Sequence, residues 1–133
     1  MEGSCAVGHD EQGALRVAVG DDETCSIVRE TLERMGDKWT LLVVLGLSEG
    51  PMRFNALQRA VVGISHRMLS VTLRKLERDG LVLRTAYAEV PPRVEYALTP
   101  LGASFIEPAM AVTQWARAAD EEIRSNRAAF DRA

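Results

Sequence analysis

The sequence is poor in cysteine and in aromatic residues, and it contains no long apolar run. Two cysteines among 133 residues are too few for the multi-disulfide framework of small secreted domains. No stretch approaches the roughly 20 apolar residues needed to span a bilayer. The N-terminal MEGSCAVGHDEQG lacks the apolar core of a secretory signal. We therefore expect one domain, without membrane contact, in a reducing cytoplasm.

The sequence also lacks the motifs typical of enzymes and of cofactor binding. It has no Gly-rich phosphate loop, no nucleophile elbow and no constellation of paired carboxylates. Cys5, His9 and Cys25 match no compact spacing of metal ligands. We therefore predict a protein that is not an enzyme and that has neither a cofactor nor a metal site.

Charge is distributed unevenly along the chain, whose net charge is −3. Residues 1–35 carry eight acidic and three basic side chains, a net −5, whereas residues 53–100 carry eight basic and four acidic, a net +4. A basic segment inside an acidic chain favours a single polyanion-binding face. Solvated helix faces and ion pairs would give the same composition, so charge alone leaves both interpretations open.

Apolar periodicity predicts a flexible acidic tail over residues 1–23, a domain over residues 24–126 and a C-terminal tail over residues 127–133. In the first tail, ALRVAVG could form a short strand or turn. The domain is expected to be mainly α, with helices over about 24–35, 38–48, 55–61, 66–79 and 100–126. N-cap residues are expected at Thr24, Asp37, Asn55, Ser65 and Thr99. Pro108 is expected to kink or divide the last helix.

Two segments after the fourth helix, LVLRTAYAEV and VEYALT, have a period near two and predict a small β-hairpin whose loop contains Pro91 and Pro92. In the fourth helix, Leu69, Leu73 and Leu76 fall at i, i+4 and i+7 and form one apolar stripe. The opposite flank is basic. Three helices, a capped helix with one cationic flank, and a hairpin predict a winged helix-turn-helix.

Such a helix suits double-stranded DNA, because the major groove is about 12 Å wide and accepts one α-helix. Arg67 is expected to reach a guanine edge or a phosphate, and Val71 a thymine methyl. Phosphate contacts are expected from Arg74 and Lys75, while for Lys75 and Arg78 a solvated surface role stays equally open. Arg93 is expected in the minor groove. The full set of predicted DNA-contacting residues is Arg53, Asn55, Ser65, His66, Arg67, Ser70, Val71, Arg74, Lys75 and Arg93.

Several segments resemble the HxlR family of bacterial transcriptional regulators, which are relatives of the MarR group. These segments are GDKWTLLVVLGL, RFNAL, GISHRMLSVTLRKLERDGLVLR and VPPRVEYALTPLG, followed by Trp115. The resemblance implies a homodimer in which the first and last helices, about Thr24–Arg34 and Pro100–Asn126, pair across the interface. Each subunit would present one recognition helix to a pseudo-palindromic operator. The implied interface residues are Ile27, Leu101, Phe105, Val112 and Trp115.

Cys25 follows the expected cap of the first helix, where the helix dipole and free N–H groups make a thiol more reactive. Several regulators that resemble this chain sense oxidants or electrophiles through a cysteine at this place. Ser26 departs from the proline that more often follows in the family. The alternative is a small buried hydrophobe at the dimer interface.

We therefore predict a homodimeric, sequence-specific transcriptional regulator that binds a double-stranded DNA operator. Its inducer would be an electrophile acting through Cys25 or a small molecule. The alternative is a winged-helix module whose basic face contacts a protein partner.

Overall fold

The computed structural model describes the backbone of residues 7–17 and 23–133, and the side chains of residues 9–15 and 26–133. The helices in these ranges are α1 (Glu23–Met35), α2 (Lys38–Gly46), α3 (Phe54–Ala60), α4 (His66–Arg78) and α5 (Pro100–Arg132). The strands are β1 (Val7–His9), β2 (Leu15–Val17), β3 (Met52–Arg53), β4 (Val82–Tyr87) and β5 (Arg93–Leu98). The chain divides into two compact units, Met1–Leu41 and Leu42–Ala133. No helix in the described ranges has the length and apolarity that a bilayer crossing requires.

In the first unit, β1 and β2 form an antiparallel hairpin where the sequence predicts a flexible tail. Strand β2 lies within ALRVAVG, the part of that tail for which a short strand or turn is the alternative prediction. Its turn depends on Asp10, whose Oδ1 accepts hydrogen bonds from the N–H groups of Gln12 (3.0 Å) and Ala14 (2.9 Å). Gly13 supplies the positive φ of 84° that this turn needs. Turn chemistry, rather than apolar periodicity, thus orders this segment. The rest of the predicted tail lies outside the described residues.

Helix α1 begins at Glu23, one residue before the cap expected at Thr24, and it ends at Met35 as expected. Asp37 does cap α2, since its Oδ1 accepts a hydrogen bond from the N–H of Trp39 at 3.0 Å. Its Oδ2 accepts another from the hydroxyl of Thr40 at 3.2 Å. Helix α2 ends at Gly46, two residues before the expected end at Ser48.

The second unit has a core of aliphatic side chains from the helices and from the start of β4. Gly46 lies where α2 passes α3, because a Cβ there would meet Leu57 Cδ1 at 3.0 Å. The sheet has the order β3-β5-β4 and is antiparallel throughout. The buried hydrophobic residues of this unit are Val43, Val44, Leu47, Leu57, Val61, Ile64, Leu69, Leu73, Leu76, Val82 and Ala109.

The start of α3 corrects one prediction, because Asn55 is not its cap. Met52 and Arg53 pair with β5 and keep the chain extended up to Arg53, which has φ −77° and ψ 159°. The helix therefore begins at Phe54, and Asn55 lies in its first turn. Arg53 occupies the cap position but makes no capping hydrogen bond within the described part of the chain.

Helix α5 begins as predicted and ends later than predicted. Thr99 Oγ1 accepts a hydrogen bond from the N–H of Gly102 at 3.0 Å and donates one to the carbonyl of Gly80 at 2.6 Å. The helix continues through Pro108 without dividing. It runs to Arg132, which corrects the C-terminal tail expected over residues 127–133. The sequence RAAFDR contains good helix formers and no glycine or proline that would stop it.

Candidate nucleic-acid interface

The inner side of α4 is fixed by a cap and by buried leucines. Ser65 Oγ accepts a hydrogen bond from the N–H of Met68 at 3.0 Å, which confirms the predicted N-cap. Leu69, Leu73 and Leu76 are each at most 1% exposed, so the predicted stripe is the anchored side of the helix. Gly80, with φ 80°, ends the helix in the left-handed conformation expected there.

The outer side of α4 is cationic and exposed, and its four cations are Arg67, Arg74, Lys75 and Arg78. Helical spacing of about 100° per residue places it roughly opposite the leucine stripe. Val71, the apolar residue among these cations, is 37% exposed. No described carboxylate forms an ion pair with any of the four cations of this side. We call this surface the basic face and define it as Arg67, Val71, Arg74, Lys75 and Arg78.

The turn before α4 determines how the basic face is presented. Gly63 has a φ of 91°, a backbone conformation that residues other than glycine rarely adopt. Ile64 is buried, and its carbonyl accepts a hydrogen bond from Gln58 Nε2 on α3 at 3.3 Å. Helix α3, this turn and α4 together form a helix-turn-helix.

The remaining candidates on the helix-turn-helix differ in their surroundings. The ring centroids of His66 and Phe54 lie 4.6 Å apart. His66 is exposed, but its ring therefore packs against the first residue of α3. Arg53 and Asn55 are both exposed at the start of α3. Ser70 is half-buried on the side of α4 that faces the sheet.

The wing, formed by β4, β5 and their connecting loop, carries Arg93 in a cluster that sequence reasoning missed. Its Nη2 lies 2.6 Å from Glu89 Oε2, and its Nη1 lies 2.6 Å from Glu95 Oε2. Its guanidinium carbon lies 3.9 Å from the ring centroid of Tyr87, a cation–π contact. The hydrogen bond to Glu89 raises the pKa of Arg93, as do the charges of both carboxylates. The minor-groove contact of Arg93 thus remains a prediction for a side chain that already has protein partners.

The candidates for a dimer interface are mostly exposed. On α5, Leu101 is 57% exposed, Val112 50% and Trp115 66%, while Phe105 is half-buried. Ile27 on α1 is 61% exposed. Cys25 occupies the third position of α1, but its side chain and the whole of Cys5 lie outside the described residues. In the described ranges no group of three or more His, Cys, Asp or Glu side chains could hold a metal ion.

A helix-turn-helix with a cationic outer face and an adjoining hairpin is the architecture of winged-helix regulators. Residues 34–124 match the model of the HxlR-like helix-turn-helix family. The chain belongs to this family. The match includes α4, the wing and most of α5, and it ends before the last residues of α5.

Relatives of this HxlR-like chain are transcriptional regulators. An HTH-type transcriptional regulator from Methanothermobacter thermautotrophicus is 43% identical over 99 residues, which are 74% of this chain and 76% of that relative. The structure of the redox regulator HypR in its reduced form is similar with a TM-score of 0.67 and 35% identity, covering 74% of this chain and 98% of HypR. The structure of the reduced form of the transcriptional regulator YodB from B. subtilis is similar with a TM-score of 0.63 and 29% identity, covering 69% of this chain and 90% of YodB.

Proposed function

We propose that this chain is a homodimeric transcriptional regulator that binds a specific double-stranded DNA operator with the basic face of α4. The observation that carries the proposal is the exposure of four cations without described carboxylate partners, opposite a buried leucine stripe. Cations that are not neutralised by the protein remain available for phosphates and base edges. The HTH-type regulators among its relatives support the same conclusion.

In this proposal α4 enters the major groove, and the wing lies beside the adjacent minor groove. Arg67, near the N-terminus of α4, would contact a guanine edge, and Val71 a thymine methyl. Arg74 and Lys75 would contact phosphates. Pairing of two chains through α5 and α1 would present two copies of α4 to half-sites about 34 Å apart, one turn of B-DNA.

The direct test is binding of the full chain to labelled intergenic DNA from its own genomic neighbourhood over a range of salt concentrations. Arg67→Ala should weaken specific binding by about 1–3 kcal/mol and leave binding to unrelated duplex less affected. Arg132→Ala removes the same charge from the end of α5 and serves as the matched control. A wild-type chain without salt-dependent duplex binding would contradict the proposal.

A protein-binding role makes a different prediction for the same variants. If the basic face contacts an acidic protein, Arg67→Ala and Arg93→Ala should abolish that association while duplex binding stays unchanged. This result would favour the winged-helix interaction module over the regulator.

We further propose that Cys25 is a redox trigger. The similarity of this chain to the redox regulator HypR supports testing this role. The third position of α1 is in the first helical turn, where free N–H groups favour a thiolate. Diamide joins two thiols in a disulfide and is itself reduced to the hydrazine, so in the proposed homodimer Cys25 would pair with Cys25 of the second subunit. Diamide should then change operator affinity of the wild type, and Cys25→Ser should abolish the change, whereas Cys5→Ser should preserve it. A response that survives Cys25→Ser would point to another trigger, such as a small-molecule ligand.

A further inference from the structure

A cleft of about 410 Å³ lies between α4 and the sheet of the wing. One wall is α4 and the other is formed by β4 and β5. Its lining residues are Ser70, Leu73, Arg74, Glu77, Arg84 and Tyr96. Arg84 and Tyr96 are absent from the DNA-contacting set predicted from the sequence.

Strand alternation explains why Arg84 faces the cleft. Val82 at the start of β4 is buried, and Arg84, two residues later, lies on the same face of the sheet. Arg84 and Tyr96 are cross-strand partners, so their side chains are neighbours. On α4, the cleft-lining positions 70, 73, 74 and 77 have the i, i+3, i+4, i+7 spacing of one helix face.

The chemistry of the cleft suits an oxyanion. Arg74 and Arg84 form no ion pair with a carboxylate in the described part of the chain, and this includes Glu77 in the same cleft. Their guanidiniums offer forked donors that match phosphate oxygens, and the hydroxyls of Ser70 and Tyr96 can donate as well. Glu77 opposes any anion in the cleft, but the two guanidiniums outweigh it and leave the lining with a net charge of +1, which suits a single phosphodiester.

Arg74 connects this cleft to the basic face, because it belongs to both. A DNA strand that separates a major groove from the next minor groove must cross between α4 and the wing if each element occupies one groove. We propose that the cleft holds one phosphodiester of that strand, bound by Arg84 from the wing and Arg74 from α4. This inference rests on the proposed function.

The test measures binding of the full chain to a fluorescein-labelled 30-base-pair duplex (length about three helical turns) across a series of KCl concentrations. Arg84→Gln should weaken binding roughly tenfold and reduce the slope of log K against log [salt] by about one per bound protomer. Arg84→Lys retains the charge and should recover most of the slope. Arg132→Gln should match the wild type, and thermal melts should show that every variant is folded.

Two results would overturn the inference while leaving the regulator proposal intact. The first is duplex binding by the wild type that Arg84→Gln leaves unchanged in affinity and slope. The second is submillimolar binding of inorganic phosphate to the DNA-free chain that Arg84→Gln abolishes without altering the DNA salt slope. That second result would assign the cleft to a free oxyanion instead. A wild type that binds no duplex would overturn the regulator proposal and this inference together.

Discussion

Arg93 and Glu89 form an ion pair within the wing, with Nη2 and Oε2 2.6 Å apart. Glu95 holds the other end of the guanidinium at the same distance. Because the hydrogen bond to Glu89 raises the pKa of Arg93, the folded state favours the protonated form. The stabilisation is complete below the unfolded pKa and is lost only as the pH rises through the raised value. Arg93 therefore stays cationic at every pH at which DNA binding is ordinarily measured.

Glu89→Gln should strengthen DNA binding. The substitution removes an exposed negative charge from the wing and releases one side of the Arg93 guanidinium toward the DNA. We expect duplex affinity to rise roughly three- to tenfold at low salt, with the gain shrinking as salt screens the charges. Fluorescence anisotropy over a KCl series measures the effect.

The control for this prediction is Glu121→Gln, which removes the same charge from an exposed position on α5. It should change duplex affinity little. Weaker binding of Glu89→Gln than of the wild type would indicate that the ion pair positions Arg93 for DNA rather than withholding it.

The parts of the fold that depend on local signals could be predicted from the sequence. Ser65, the leucine stripe and Gly80 identify α4 because a cap, a period of 3.6 and a left-handed stop act within a few residues of one another. The hairpin and the cap at Thr99 follow from equally local patterns.

The parts of the fold that depend on pairing between distant segments were less predictable from the sequence. The sequence predicts a cap at Asn55, because the pairing of Arg53 with Glu95, more than forty residues away, has no local signature. The ion pairs of Arg93 depend on side-chain geometry at the wing loop. The predicted set of DNA contacts lacks Arg84, because the position of α4 against β4 is a tertiary contact without a local signature. The alternation from Val82 indicates only the face of the sheet on which Arg84 lies.

Ser65→Ala should destabilise the chain through α4. The substitution removes the acceptor for the N–H of Met68 and leaves that donor without its cap. We expect a loss of about 1 kcal/mol in the free energy of unfolding. Ser104→Ala is the matched control, because Ser104 lies inside α5 and its hydroxyl donates to the carbonyl of Leu101, within its own helix, rather than capping a helix end. Urea denaturation followed by circular dichroism should show Ser104→Ala at least as stable as the wild type, since alanine is the better helix former. Equal losses in the two variants would argue against a specific cap.

Gly102→Ala should destabilise the junction between the sheet and α5. A Cβ at this position would lie 2.0 Å from the carbonyl oxygen of Leu81, which also accepts a hydrogen bond from the N–H of Thr99. Since backbone atoms must move to make room, we expect a loss of about 1–3 kcal/mol in the free energy of unfolding. Gly36→Ala is the control, because its nearest neighbours would be at 3.6 Å or more. Thermal or urea denaturation measures the free energy of unfolding of both variants. A Gly102→Ala variant as stable as the wild type would contradict the expected clash.

Trp115→Glu should dissociate the proposed homodimer. Leu101, Val112 and Trp115 would leave a sizeable apolar patch on α5 exposed in an isolated chain. A carboxylate in the centre of a paired helix face would be buried without a partner, at a cost of several kcal/mol. Gln114→Glu introduces the same charge one residue earlier, rotated by about 100° around the helix, and should leave the dimer intact. Sedimentation velocity over a range of protein concentrations distinguishes the two variants. Operator affinity should fall when the dimer dissociates, because one copy of α4 cannot reach both half-sites.

A Trp115→Glu chain that still sediments as a dimer would contradict the prediction. It would show that the dimer forms through another face of α5 or through a different part of the chain.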